Sequence, residues 1–250
     1  MTKPKLLMLG ATLWIAAVGN ANAQTIPTSV LHIVIMVKEN HTLDNYFGTY
    51  PGADGVTVGN HRGKLLALEH LTKAIQDIPH SESSARYDYD NGLMDRFNHE
   101  GYGQYYQADI TDYWNLATSY VLADEFFTSA MGPSFPNHLY ATTATSFGAI
   151  DNPTQQGVWG CDSRAGTKVE TLTGPVKPCF TGTSLLDELD AAHVSWAYYG
   201  PPKGQTAYQW VSLRTRSTWC GAGPTGRSTF VLGNNSPPTP PAAISRKYRG

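Results

Sequence analysis

Charge is scarce in these 250 residues: 15% are Asp, Glu, Lys or Arg, and they nearly cancel, to a formal net charge of -2. A nucleic-acid binder presents a strongly basic face, so this balance argues against one. Cysteine is scarcer still, at three residues. They show neither CxxC nor Cys-His spacing, which argues against zinc held by thiolates. Acidic residues are missing altogether from Leu213 to Gly250. The longest apolar run, near the start, is too short to span a bilayer comfortably. Gly, Tyr and Trp are plentiful, at 24, 14 and 6 residues. That mixture suits a loop-rich secreted globule better than a disordered chain. The length suffices for one substantial core in a single domain.

The start reads as a targeting signal. Lys3 and Lys5 precede a short apolar core from Leu6 to Val18, and Ala21-Asn22-Ala23 forms an A-x-A cleavage site. Residues 1–23 are therefore expected to be removed, giving a mature start at Gln24 and export to the periplasm or beyond. Export permits disulfides. Cys161 and Cys179 bracket a Gly- and Pro-rich loop and can close it, a cross-link of about 3 kcal/mol in the chain-entropy model. Cys220 is left over.

The stretch that organises the chain is Leu31 to Gly48, LHIVIMVKENHTLDNYFG. Its apolar residues run continuously from Leu31 to Val37 apart from His32, which predicts a strand covered on both faces. It stops at Lys38-Glu39-Asn40, and Thr42 can cap a short helix. Ligands of open α/β sheets sit beyond the carboxyl ends of the strands, where Glu39 and Asn40 would stand. An adjacent carboxylate and amide oxygen can ligate a hard or borderline cation, although such a pair equally serves loop solvation.

Two further stretches carry chemistry. In Met131-Gly132-Pro133-Ser134-Phe135-Pro136-Asn137-His138, Pro136 suits the first turn of a helix. Ser134 then lies at or just before a helix N-terminus, as a capping residue or as a hydroxyl beside free N–H groups and the positive dipole end. A hydroxyl needs a base or metal to become a good nucleophile. His80, after Asp77-Ile78-Pro79, is a surface residue of a Ser-rich loop or a group that donates a proton near neutral pH. Elsewhere, Thr111 can cap a helix, Val121 to Phe127 reads as a second strand, and Asp124 is assigned a structural or solvent role. Ser184-Leu185-Leu186-Asp187 is a helix start, and Val194 to Tyr199 a strand ended by Gly200.

These stretches resemble, in order, the motifs of the bacterial phosphoesterase family, which holds phospholipases C and related acid phosphatases. Glu39, Asn40, Asp44 and Gly48 match its E-N-R-S-F-D-x-x-x-G motif, with Thr42 for Ser, Leu43 for Phe and His41 for Arg. Gly132, Pro133, Pro136 and Asn137 match G-P-T-x-P-N-R, with Ser134 for Thr and His138 for Arg. Gly92, Met94, Asp95 and Phe97 reproduce a G-x-M-D-x-F segment that follows a His in the family. The resemblance implies an α/β fold, part of an alkaline-phosphatase-like three-layer sandwich with a mostly parallel central sheet. It implies a Ser134 nucleophile, His80 as phosphate contact or leaving-group acid, and a divalent metal held by Glu39, Asn40 and Ser134. The substrate would be a phosphate monoester or a phospholipid.

The resemblance runs from Leu31 to about Trp210. The family's third motif, D-E-x-x-G-x-x-D-H-V, is absent; Asp187 to Val194 lacks its Gly and its Asp-His pair. Residues 24–212 thus read as the N-terminal part of a phosphoesterase domain. Residues 213–250 read as an irregular, basic, Pro- and Gly-rich tail, which suggests a truncated member with a change of reading frame near Ser212. Such a tail also suits an arm that visits anionic lipid surfaces. Three functional readings follow: an exported metal-dependent phosphoesterase, an inactive fragment of one, and a secreted binding module.

Overall fold

The computed structural model describes residues 30–72, 77–155 and 159–200, and the backbone of 229–232. The leader, Cys220 and all of the tail except that short backbone lie outside the described residues. The chain divides into Met1–Asn40 and His41–Gly250.

In the first unit, the described residues 30–40 form neither helix nor strand. This corrects the strand expected from Leu31 to Val37. Val34, Ile35 and Met36 are 84%, 75% and 85% exposed. Composition marks a run as fit for a sheet. A ladder partner and a covering layer make it a strand, and no described strand pairs with this run.

The second unit opens with α1, Leu43–Phe47, and the Thr42 hydroxyl accepts the Asn45 N–H as its cap. Asp44 Oδ1 accepts the Val56 N–H at 2.8 Å, and Asn45 Nδ2 donates to the Gly103 carbonyl at 2.7 Å. Gln104, 1% exposed, donates through Nε2 to the Asp44 and Val56 carbonyls. It passes so close to Gly48 that a Cβ there would meet Nε2 at 2.4 Å. The Asp and Gly of the first motif are therefore explained by packing.

Strands β1, Val58–His61, and β2, Lys64–Ala67, form an antiparallel hairpin. Its two-residue turn has Arg62 at φ 51° and Gly63 at φ 82°, the left-handed pair that matches strand twist. Strand β3, Glu69–His70, runs parallel to β4, Gly103–Gln104. Between them lies α2, Glu82–Tyr89. The Ser-rich segment expected to be loop is its beginning: the Ser81 hydroxyl caps it by accepting the Ser84 N–H at 3.1 Å. Glu82 and Arg86 pair one turn apart.

Helix α3 spans Thr111–Ser119. Ile110 occupies the cap position and the Thr111 hydroxyl donates back to the Gln107 carbonyl, so Thr111 is not the cap it was expected to be. Trp114 is 6% exposed and its indole N–H donates to the Tyr46 carbonyl. The strand expected from Val121 to Phe127 is absent; Val121, Phe126 and Phe127 are exposed. Asp124 does have the structural role assigned to it, accepting the Asp54 N–H at 2.9 Å.

Helix α4, Ser134–Thr143, ends at Ala144 in the left-handed conformation. Its Phe135 and Leu139 join Ala149, Trp159 and Val169 in a buried cluster, with Phe147 and Phe180 against it. The Cys161–Cys179 disulfide, anticipated from the loop it closes, staples the irregular segment that lays over this cluster two of its apolar residues, Trp159 and Val169. Ser184 and Asp187 form a reciprocal capping box at α5, Leu185–Ala191. Strand β5, Ala197–Gly200, pairs in parallel with β6, Thr229–Leu232.

The described residues are thus α/β, with three two-stranded sheets, two of them parallel pairs. They do not display the single, mostly parallel central sheet that the sequence led us to expect.

Candidate active site

Ser134 sits where the sequence placed it, as the first residue of α4 with Pro133 at the cap position. It is 8% exposed. Asn137 fixes it there. Its Nδ2 donates to the carbonyls of Ala130, Gly132 and Pro133, and its Oδ1 accepts the Ala130 N–H. One amide thus ties the approaching loop to the helix, and this explains an Asn three residues after the hydroxyl. Gly132 allows a close approach, since a Cβ there would stand 3.1 Å from the Ile150 carbonyl oxygen.

The first turn of α4 offers fewer free donors than a generic helix. The first four N–H groups of a helix lack internal partners. Here Pro133 and Pro136 have no N–H, and the Phe135 N–H donates to Asn152 Oδ1 at 3.0 Å. The donor left to the site from this set is the N–H of Ser134 itself. Anion stabilisation at this end therefore rests on one N–H and the dipole.

His80 lies across Asn152 from that turn. Asn152 Nδ2 donates to the His80 carbonyl at 3.3 Å while its Oδ1 holds the Phe135 N–H. The neighbouring Asp151 accepts the Glu82 N–H at 3.4 Å. The Asp151-Asn152 pair thus joins the beginning of α2 to the beginning of α4. The His80 side chain faces Asp77, with Nε2 and Oδ1 2.8 Å apart. The imidazole is largely covered at 27% exposed, whereas the Asp77 carboxylate is 81% exposed. The structure therefore links the His80 backbone to the head of α4, and gives the ring an acidic partner three residues back.

Glu39 and Asn40 stand at the end of the first unit. Asn40 has φ 68°, a left-handed conformation that Asn tolerates better than most residues. Among the described residues, no group of three or more His, Cys, Asp or Glu side chains gathers as a metal site would. Glu39, Asn40 and Ser134 carry four side-chain oxygens and one negative charge between them. A hard divalent cation takes six or more oxygens, so this set does not by itself fit one.

The sequence did not single out Asn152 or Asp77. The Asp151-Asn152-Pro153 triplet carries a turn signal and nothing more. Asp77 was visible three residues before His80, but i,i+3 spacing outside a helix carries no geometric implication.

The model of the Phosphoesterase family matches residues 30–220, which include both motif-bearing stretches. Non-hemolytic phospholipase C of Pseudomonas aeruginosa is 26% identical over 194 residues, covering 68% of this chain and 27% of that protein. Hemolytic phospholipase C of the same organism is 25% identical over 193 residues, covering 68% of this chain and 25% of that protein. The chain spans about a quarter of the length of these curated relatives.

Proposed function

This chain belongs to the phosphoesterase family, and we propose that it is an exported hydrolase of phosphoric esters, of phospholipase C or acid phosphatase type, with Ser134 as nucleophile. The observation that carries the reading is the placement of Ser134. Its hydroxyl heads a ten-residue helix, on a loop fixed by Asn137, beside a segment that bears a histidine. Export rests on the leader read at residues 1–23, and the substrate on the names of the relatives.

The chemistry is in-line substitution at phosphorus. The Ser134 oxygen forms a bond to phosphorus as the bond to the leaving oxygen breaks, giving a phosphoseryl intermediate. The hydroxyl proton leaves to solvent, and the His80 imidazolium supplies a proton to the departing oxygen. Water then attacks phosphorus and frees Ser134. The Ser134 N–H and the dipole of α4 oppose the charge that gathers on the phosphoryl oxygens. Asp77, 2.8 Å from His80 Nε2, fixes the ring orientation. The divalent cation implied by the motif positions Glu39, Asn40 and Ser134 would neutralise phosphoryl charge. Their four oxygens are an incomplete set, so no step here is routed through it. The alkaline-phosphatase-like sandwich belongs to the same proposal, supported by the two parallel strand pairs.

The test is turnover by the purified chain with added divalent cations, on p-nitrophenyl phosphate for a monoester and phosphatidylcholine for a diester. Ser134→Ala should lower kcat by on the order of a thousandfold or more, since the nucleophile itself is removed. Turnover that survives Ser134→Ala, or a folded chain without turnover on either substrate, overturns the reading.

A further inference from the structure

The Asn152 side chain hydrogen-bonds both the head of α4 and the segment carrying His80. Its carbonyl oxygen accepts the Phe135 N–H at 3.0 Å, and its amide nitrogen donates to the His80 carbonyl at 3.3 Å. Two neutral functions are used in opposite directions, a pairing that Asp could half reproduce and Ala not at all. Its own backbone N–H is held by the Asp151 carboxylate at 2.7 Å, whose other oxygen accepts the Glu82 N–H. Asn152 is thereby fixed at its root while it spans the two elements. No side chain at the cap position of α4 bonds its first turn, because that position is Pro133. Asn152, distant in sequence, supplies the missing acceptor.

We propose that Asn152 is a positioning residue of the phosphoesterase reaction: it sets the reach between the His80 segment and Ser134 by bonding the backbone on both sides. The inference rests on the reading of Ser134 and His80 as the reacting pair. It adds a requirement that this reading does not contain, an amide at residue 152 that both accepts and donates. A helix-capping role alone needs only the acceptor. An Asp side chain supplies that acceptor at an N-terminus, and its charge suits the dipole. It cannot donate to the His80 carbonyl, and two oxygens would then face each other.

The test compares Asn152→Asp and Asn152→Ala with the parent chain, in turnover of p-nitrophenyl phosphate across pH and in amide exchange at Phe135. Asn152→Ala should speed Phe135 exchange and lower kcat by roughly tenfold to a hundredfold with KM little changed, the scale of a small misplacement of reacting groups. Asn152→Asp should keep Phe135 protected, yet lower kcat over the same range and change the shape of the pH profile. It should also move the His80 imidazole resonances in a 15N-labelled chain. Asn152→Asp with parental kcat, an unmoved pH profile and unmoved His80 resonances overturns the proposal and leaves a plain helix cap. The exchange and resonance measurements need no turnover. An inactive parent chain would therefore sink the hydrolase reading, while the bridge through Asn152 stands or falls on its own data.

Discussion

Two stretches of this chain carry large apolar side chains and meet opposite fates. From Phe135 to Val169, apolar side chains gather into a cluster in which Leu139 and Val169 are fully buried. From Leu31 to Val37, the side chains are 65% exposed or more wherever they are large and apolar. What separates them is the company each keeps. The α4 stretch has its cover within reach along the chain, in a loop closed by a disulfide across 18 residues. It also has polar bonds, through Asn137 and Asn152, that fix the angle at which the helix presents Phe135 and Leu139. The opening run has no described ladder partner and no such anchors. Apolar content states a demand for burial, and local partners decide whether it is met.

The sharpest way to break that contrast is to truncate one residue in each stretch. Leu139→Ala should cost about 3–5 kcal/mol, as for a fully buried side chain leaving a cavity. Ile35→Ala should stay within about 0.5 kcal/mol, as for a surface change. Denaturant titration of both variants decides it, and equal losses would erase the distinction. Removing the staple comes next. Cys161→Ser with Cys179→Ser should cost about 3 kcal/mol through the freed unfolded chain, and the parent under reductant should lose a similar amount. No loss would mean that the apolar cluster holds the loop unaided.

The smallest effect concerns acid, and it lies outside both stretches. Asp109 accepts the Tyr106 backbone N–H and pairs with His70, and these two bonds, the backbone one first, hold its carboxyl below the ordinary 3.8. A carboxylate depressed in the fold adds stability above its unfolded pKa and loses it as pH falls through the folded one. Asp109→Asn should therefore narrow the stability difference between neutral pH and acid below pH 3.8. The group is solvent-exposed, so the loss is slight; in matched melts it should be present at neutral pH and vanish once the pH falls below the folded pKa. An unchanged acid slope would mean that another carboxylate governs it.

Much of the site's scaffold was legible in the sequence. Thr42, Ser184 with Asp187, and the head of α4 at Ser134 all act through bonds within a few residues, which spacing records. The disulfide was legible because only two cysteines bracket a loop of suitable length. The expected strands at Leu31–Val37 and Val121–Phe127 were not found, because pairing is a property of two segments and composition reports one. Asn152 was invisible for a related reason: its two bonds reach 17 and 72 residues along the chain. The family motifs proved to mix packing with chemistry. Asp44, Gly48, Gly132 and Asn137 are explained by hydrogen bonds and close approach, whereas Glu39, Asn40 and Ser134 are the members to which the proposed chemistry is assigned.

The most direct test of the account is to look for the phosphoryl group on Ser134. The full chain would be mixed with p-nitrophenyl phosphate and a divalent cation, quenched in acid within the first turnovers, and mapped by peptide mass spectrometry. The account predicts one added phosphoryl group on the peptide containing Ser134, and none after Ser134→Ala. Product release with that peptide unmodified at every quench time, or a phosphoryl group on another residue, would contradict it.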